Sequence, residues 1–129
     1  MPDWKKIGFI AASVLVGLMF LMAGGGKLAG QDPHPANFEN WGYPDWMMYV
    51  VGAWEVAFAV LILVPKTRFY GGALLVANMV GAAITHVTAG EFASIAMNVI
   101  LGGLAFLVAW LSMPAPVAEK LGREPGAYA

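Results

Sequence analysis

Long apolar runs, separated by short breaks rich in charge, proline or glycine, dominate the chain. Four such runs extend over residues 7–23, 47–64, 69–87 and 92–113. At 1.5 Å rise per residue, each run would form a helix of about 26 to 33 Å, which is enough for a hydrocarbon core of about 30 Å. The few remaining polar residues could not cover these helices in water. The pattern predicts an all-α fold, an integral membrane four-helix bundle forming a single domain over residues 1–129.

The breaks between the runs predict how the helices are connected. Residues 65–68 and 88–91 leave room only for tight links, so the last three helices should be antiparallel neighbours. The break at 28–46 is longer and contains three prolines and four aromatic residues, which suit the headgroup zone. We expect it to fold on the outer membrane surface as an aromatic lid. Residues 114–129 are expected to form a mobile cytoplasmic tail with one turn of interfacial helix.

The distribution of basic residues predicts an orientation. One side of the bundle carries Lys5, Lys6, Lys66, Arg68, Lys120 and Arg123. The other side carries only Lys27, together with four acidic residues. Because lysine and arginine favour the cytoplasmic side, both termini should be cytoplasmic. The first run resembles a signal peptide, but three further spans follow it, so we expect an uncleaved anchor.

Composition agrees with a membrane protein and excludes several functions. Hydrophobic residues make up 60% of the chain, against about 45 to 50% in soluble domains. The net charge is -1 and the basic residues are scattered, so nucleic-acid binding is not expected. The absence of cysteine excludes disulfides, thiol catalysis and cysteine-ligated clusters. A redox role would therefore need a bound cofactor, a quinone or a partner chain.

A few polar residues within the spans mark a candidate site. An acid near the middle of a span, such as Glu55, costs about 2.5 to 3.5 kcal/mol and should therefore face protein or water. Counted from the outer helix ends, Glu55, Asn78 and Asn98 all lie about 9 to 13 Å deep. Lys27 and His86 lie above them. The sequence thus predicts a polar pocket that opens, if anywhere, toward the outside beneath the lid.

The chemistry of this layer leaves alternatives open. Burial favours a neutral Glu55 unless a cation reaches it; Lys27 and His86 are the candidate cations, and the two asparagines are candidate partners. The layer either binds a ligand or only fixes the register of the helices. Nothing polar continues below Asn78 except Ser13, which weighs against a proton or ion pathway. We predict no metal site, because the two histidines fit neither haem nor zinc. We also assign no catalytic residue.

Small residues predict which helix faces point inward. In a bilayer, helices associate by close contact through such residues. The expected inward positions are Ser13, Gly17 and Gly24 in the first helix, Gly52 and Ala59 in the second, and Ala73, Ala77, Gly81 and Thr85 in the third. Trp54 adjoins Glu55 but points about 100° away from it, so we expect it to contact lipid or a neighbouring helix.

Several short motifs occur in an order typical of a known family. They are A-G-G-G-K-L at 23–28, F-E-N-W-G-Y-P at 38–44, W-E at 54–55, a basic link with Arg68, and His86 late in the third run. Over residues 14–111 the chain resembles the DoxX-like family. The resemblance implies a four-helix bacterial inner-membrane protein. Relatives are associated with the membrane part of thiosulfate:quinone oxidoreductase, and many have no assigned role. The positions that match the family pattern are Lys27, Gly42, Pro44, Glu55 and His86.

We therefore expect a non-catalytic or redox-accessory membrane module that binds a quinone-like or other small lipophilic ligand. The ligand would contact Glu55, Lys27, His86, Asn78 and Asn98. The chain is not expected to be an enzyme by itself, although a membrane subunit of a quinone-linked oxidoreductase would fit. The alternative is a structural accessory subunit or homo-oligomer, which is motivated by Gly71, Gly72, Gly102 and Gly103. A small transporter ranks third.

Overall fold

The chain is entirely helical in the part that the structure describes. The computed structural model describes residues 3–129, so the first two residues of the predicted domain lie outside the described residues. Within this range there are six α-helices and no strand: α1 (Trp4–Leu28), α2 (His34–Asn40), α3 (Asp45–Leu63), α4 (Arg68–Thr88), α5 (Phe92–Ser112) and α6 (Ala115–Lys120). Of the helices in this range, α1, α3, α4 and α5 are long and apolar enough to cross a membrane. The predicted all-α class with four potential membrane spans is confirmed.

The four long helices alternate in direction. Along α1 and α3, Gly17 faces Ile62 and Leu63, whereas Gly24 faces Gly52, so these helices are antiparallel. Helix α4 packs against α3, and α5 packs against α4. A smaller interface between α5 and α1 completes the bundle. Both chain termini therefore lie at one end of the bundle, here called the terminal end. The opposite end carries α2 and is called the lid end.

The terminal end is closed by an apolar core. Its most buried side chains come from all four long helices and are Val16, Ala59, Ile62, Leu75, Ala105 and Val108. Ser13 is also buried, and its hydroxyl donates to Phe9 O of its own helix at 2.8 Å. The polar groups in this half of the bundle are thus satisfied locally, and they do not extend the polar layer toward the terminal end.

Arg68 fixes the connection between α3 and α4. A helix leaves its last four carbonyl groups without partners, and Arg68 Nε and Nη2 donate to two of them, Ile62 O at 2.8 Å and Leu63 O at 3.1 Å. The positive guanidinium also suits the negative end of the α3 dipole. Although charged, Arg68 is only 7% exposed. This capping holds the start of α4 against the end of α3 around the 3-10 turn at Pro65–Thr67.

The inward faces of α1 and α3 agree with the prediction, but that of α4 does not. Ser13, Gly17, Gly24, Gly52 and Ala59 are buried as expected. In α4, however, Ala73, Ala77 and Gly81 are exposed and only Thr85 of the four predicted residues is half-buried; the buried residues are Arg68, Gly71, Gly72, Leu75 and Met79. The physical reason is that Leu75 and Met79 have the volume to fill the core. The small residues beside them leave open space instead.

The tail docks on the bundle, in contrast to the mobile end expected from the sequence. After α6 the backbone returns, with Tyr128 N donating to Leu111 O at 2.7 Å and Gly126 N to Met113 O at 2.9 Å. The Tyr128 ring stacks on Phe9 with 4.7 Å between centroids. A side chain at Gly126 would collide with Leu111 O, so only glycine allows this approach. The last residues therefore cover the terminal end of α1 and α5.

Candidate functional site

A short helical segment, residues 31–44, covers the lid end of the bundle and is called the lid. Prolines delimit its helix: Pro33 precedes α2, Pro35 lies in its first turn, and Pro44 precedes α3. Gly42, with φ of 80°, adopts the left-handed conformation that lets the chain turn back after α2. Phe38 is 5% exposed and lies on the inner side of the lid. The predicted lid is therefore an ordered element rather than an irregular loop.

Two polar contacts fasten the lid to the ends of α4 and α5. Trp41 Nε1 donates to Glu91 Oε1 at 2.7 Å, and the Tyr43 and Thr85 hydroxyls are 2.6 Å apart. His86 Nδ1 is 3.0 Å from the same Glu91 oxygen, and because a carboxylate only accepts, the imidazole donates. We call Trp41, His86 and Glu91 the latch. His86 thus pairs with Glu91. The sequence had suggested His86 as a cation for Glu55, and that pairing is not observed.

The latch should make the lid sensitive to acid. The hydrogen bond from Trp41, and next that from His86, lowers the pKa of Glu91 below its ordinary value of 4.5. A lowered pKa means that the latch contributes stability above about pH 4.5 and loses it as the pH falls through the folded-state value. We expect protease cleavage within the lid to accelerate below pH 4.5 in the wild type.

Two variants test this prediction by limited proteolysis with an acid-tolerant protease. Glu91→Gln should show weak protection at every pH, with little change on acidification. Glu39→Gln, which removes an exposed acid of α2, should behave like the wild type. Equal acid sensitivity in Glu91→Gln and the wild type would contradict the assignment of the latch.

Beneath the lid lies a cavity of about 650 Å³. This volume is within the range of about 300 to 1,000 Å³ that is usual for small-molecule sites, and the wall is likewise mostly apolar. The apolar part includes Phe20, Phe38, Val51, Phe58 and Leu101. All five residues that the sequence selected line this same cavity: Lys27, Glu55, Asn78, His86 and Asn98. The bundle thus gathers them from α1, α3, α4 and α5.

Lys27 and Glu55 form a buried ion pair on the cavity wall. Lys27 Nζ lies 2.7 Å from Glu55 Oε1, and the side chains are 13% and 4% exposed. The contact is a close charge pair rather than a well-aligned hydrogen bond. Within residues 3–129 the ammonium has no second partner. Lys27, one of the two candidate cations, therefore does reach the Glu55 carboxyl.

The crossing of α1 and α3 explains why these two side chains meet. The helices cross at Gly24 and Gly52, and a Cβ on Gly52 would lie 2.8 Å from Gly24 O and 2.9 Å from Lys27 Cβ. Lys27 lies three residues from the crossing toward the lid end, and Glu55 lies three residues toward the terminal end. Side chains lean toward the N-terminus of their own helix, so in this antiparallel pair the two lean toward each other.

Asn78 connects the ion pair to Trp54. Its Nδ2 donates to Glu55 Oε2 at 3.1 Å, and its Oδ1 accepts from Trp54 Nε1 at 2.7 Å. These two bonds fix the orientation of the amide, because the nitrogen must face the carboxylate. Trp54 thus contacts a neighbouring helix, as expected, but the hydrogen bond to Asn78 was not predicted. The signal that could have found it is the indole N–H, which needs an acceptor at membrane depth.

Asn98 differs from the other polar residues of the cavity. It is 9% exposed and lines the cavity from α5, yet in the described part of the chain its Nδ2 has no hydrogen-bond partner. A buried donor without a partner costs about 1 to 3 kcal/mol. A side chain that only fixed helix register would be expected to bond a neighbouring helix. Asn98 instead lies on the cavity wall with a buried donor that is unused.

His34 and the acidic residues of the lid end do not form a metal centre. No group of three histidine or acidic side chains among residues 3–129 could hold a metal ion. The His34 ring lies against Gly26, where a Cβ would be 3.2 Å from His34 Nε2. Burial, and next the Lys27 charge, lowers the pKa of His34 below its ordinary value of 6.5, while Glu55 opposes this shift. His34 is therefore partly buried near the ion pair rather than a fully exposed residue.

These features define a class of protein: a small helical membrane protein with a lid-covered cavity whose wall carries a buried ion pair. A sequence model of the DoxX-like family matches residues 11–108. The chain belongs to the DoxX-like family. No curated protein and no solved structure matches the chain. The family places the chain among multi-pass membrane proteins, and the resemblance read from its motifs is confirmed.

Proposed function

We propose that this protein binds a small lipophilic ligand with a hydrogen-bond-accepting head group, of which a quinone is the type, in the cavity beneath the lid. The observation that carries the proposal is Asn98, a residue of the cavity wall whose buried Nδ2 has no hydrogen-bond partner among residues 3–129. If the Asn98 amide turned toward the cavity, a ligand carbonyl could accept from it and satisfy this donor. The rest of the wall is mostly apolar and suits the remainder of such a ligand.

The donors of the cavity favour a head group with acceptors on more than one side. Asn98 on α5 offers an amide, and Lys27 on α1 offers ammonium hydrogens beyond its contact with Glu55. A quinone has two carbonyl oxygens and no donor, which suits two donors from different helices. The Lys27–Glu55 pair would also be placed to exchange a proton with such a head group. We assign no catalytic residue, and any electrons would come from a partner.

In this proposal the protein is a multi-pass, non-catalytic or redox-accessory module of the bacterial inner membrane, with both termini cytoplasmic. The distribution of charge supports the orientation. The terminal end holds Lys5, Lys6, Lys66, Arg68, Lys120 and Arg123, and among the lysines and arginines only Lys27 lies toward the lid end. The lid and the cavity would then face the outside, where the acidic latch residue Glu91 also lies.

Replacement of Asn98 by leucine tests the proposal. The two side chains have similar size, so Asn98→Leu should leave the empty protein equally stable or more stable, because it removes an unsatisfied buried donor. It should weaken binding of decylubiquinone roughly tenfold, which corresponds to the loss of one hydrogen bond to the ligand. Quenching of the cavity tryptophans Trp41 and Trp54 in lipid nanodiscs would measure the affinity.

The matched control is Ser112→Ala, which removes another buried polar side chain of α5. Ser112 donates to Val108 O of its own helix at 2.6 Å and does not line the cavity, so binding should stay as in the wild type. If the wild type bound no quinone and Asn98→Leu were less stable, the polar layer would serve helix packing. That result would favour the alternative of a structural accessory subunit.

A further inference from the structure

The cavity has a second side, which opens between α3 and α4. Among the wall residues within 3–129, the exposed ones all belong to these two helices, and they are Trp54, Leu74, Ala77 and Gly81. Trp54 and Leu74 are 38% and 39% exposed. A Cβ added at Gly81 would meet nothing within 4 Å, so the space beside it is open. We call this gap the portal.

The portal exists because α3 and α4 separate toward the lid end. At the terminal end a Cβ on Gly71 would collide with the backbone of Ile62, so the two main chains touch there. Seven residues closer to the lid end on each helix, or about 10 Å, side chains of α3 and α4 are hydrogen-bonded to each other. Asn78 bridges to Glu55 and Trp54 at that level. The Trp54–Asn78 hydrogen bond therefore crosses the portal.

The portal faces the hydrocarbon of the membrane rather than water. Its α4 residues lie about 10 to 20 Å from the lid-side end of that helix, at 1.5 Å per residue. The lid end is covered instead, because Trp41 and Tyr43 are hydrogen-bonded to Glu91 and Thr85. A molecule dissolved in the membrane would thus meet an open gap. A molecule in water would meet the fastened lid.

We infer that the ligand is a tailed amphiphile that reaches the cavity laterally from the lipid. Its head group lies within reach of Asn98 and Lys27, and its hydrocarbon chain passes through the portal between α3 and α4 and remains in the membrane. This inference rests on the proposed ligand-binding function and specifies its ligand class and route. It also explains why Ala77 and Gly81 are small although they do not pack against the core.

The test compares two probes and two glycine variants in lipid nanodiscs. The probes are decylubiquinone and its tailless parent 2,3-dimethoxy-5-methyl-1,4-benzoquinone, and the readout is equilibrium quenching of tryptophan fluorescence. Gly81→Leu places a side chain in the portal, whereas Gly103→Leu places the same side chain on an exposed face of α5 that does not line the cavity. Leucine favours a helix more than glycine does, so both variants should fold.

We expect Gly81→Leu to weaken decylubiquinone binding roughly tenfold or more and to leave the tailless probe within about twofold of the wild type. Gly103→Leu should match the wild type with both probes. Ala77→Leu, on the same wall, repeats the test if Gly81→Leu yields little folded protein. Unchanged decylubiquinone binding in the portal variants, or equal loss of both probes, would overturn the lateral route while leaving ligand binding intact. Failure of the wild type to bind either probe would overturn the proposed function and this inference together.

Discussion

Glu55→Gln is expected to lower the free energy of unfolding by about 3 to 5 kcal/mol, because it leaves a buried ammonium without its anion. The Lys27 and Glu55 side chains are 13% and 4% exposed, so solvent screens them little. The double variant Lys27→Met/Glu55→Gln should recover most of the loss, since neither charge remains. Removing both charges avoids their desolvation, whereas removing one leaves it uncompensated.

A double-mutant cycle in detergent micelles would measure this coupling, with unfolding followed by circular dichroism during titration with a denaturing detergent. Glu119→Gln, at an exposed position of α6, is the control and should stay close to the wild type. If the free energy of unfolding of Glu55→Gln were also within about 0.5 kcal/mol of the wild-type value, the Lys27 ammonium would be hydrated through extension of its side chain toward the lid end. The ion pair would then contribute little to stability.

The expected size of this effect limits the use of Glu55 as a probe of ligand binding. A variant that unfolds more easily also loses the cavity, so weaker binding by Glu55→Gln would not identify a ligand contact. The Nδ2 of Asn98 has no partner within residues 3–129, so replacement of Asn98 separates binding from stability. The buried asparagine is therefore a better test of function than the charged residue that first marks the site.

Much of the fold could be predicted because membrane helices are dictated by length and hydrophobicity. The same reasoning selected Glu55, Lys27, Asn78 and Asn98, since polar side chains within the membrane must face other protein groups or a cavity. Depth along each helix was enough to bring Glu55 and Asn78 to one level, and these residues are hydrogen-bonded at 3.1 Å. Their role toward a ligand stays a prediction.

The partners of individual side chains could not be predicted in the same way. His86 bonds Glu91, five residues further along across the link between α4 and α5, and Trp41 of the lid donates to the same carboxylate oxygen. The contact of Trp41 depends on the path of residues 31–44, on which helix periodicity has no bearing. Likewise, Tyr128 docks on Phe9 only because the backbone reverses after α6. Gly122, with φ of 67° after the end of α6, is a local signal for that reversal, but it does not identify Phe9 as the partner of Tyr128.

Glycines illustrate this limit most clearly. Gly71, Gly72, Gly102 and Gly103 suggested a surface for self-association, but three of them are used within one chain. A Cβ on Gly71 would meet Ile62, one on Gly72 would meet Ala105 and Ala109, and one on Gly102 would meet Met79. Only at Gly103 would a Cβ meet nothing within 4 Å. Association with a second copy or a partner subunit stays a prediction, and of these four glycines only Gly103 still supports it.

The difference between these glycines leads to the other large expected effect. Gly71→Ala should lower the free energy of unfolding by about 3 kcal/mol, at the upper end of the usual cost of an added methylene in a filled core. The added Cβ would overlap the backbone N and Cα of Ile62, which cannot rotate away as a side chain could. The helices would have to separate where Arg68 caps α3, so its bonds to Ile62 O and Leu63 O would also weaken.

Gly103→Ala is the matched control, because the same methyl group enters open space and improves helix propensity by up to about 1 kcal/mol. The two variants have identical composition, so a difference between their unfolding midpoints in a detergent titration isolates the contact at Gly71. Equal midpoints would mean that α4 shifts along α3 without cost. In that case the terminal end would not hold the helices together tightly enough to define the portal, since the portal needs α3 and α4 to touch at Gly71 and separate by Asn78.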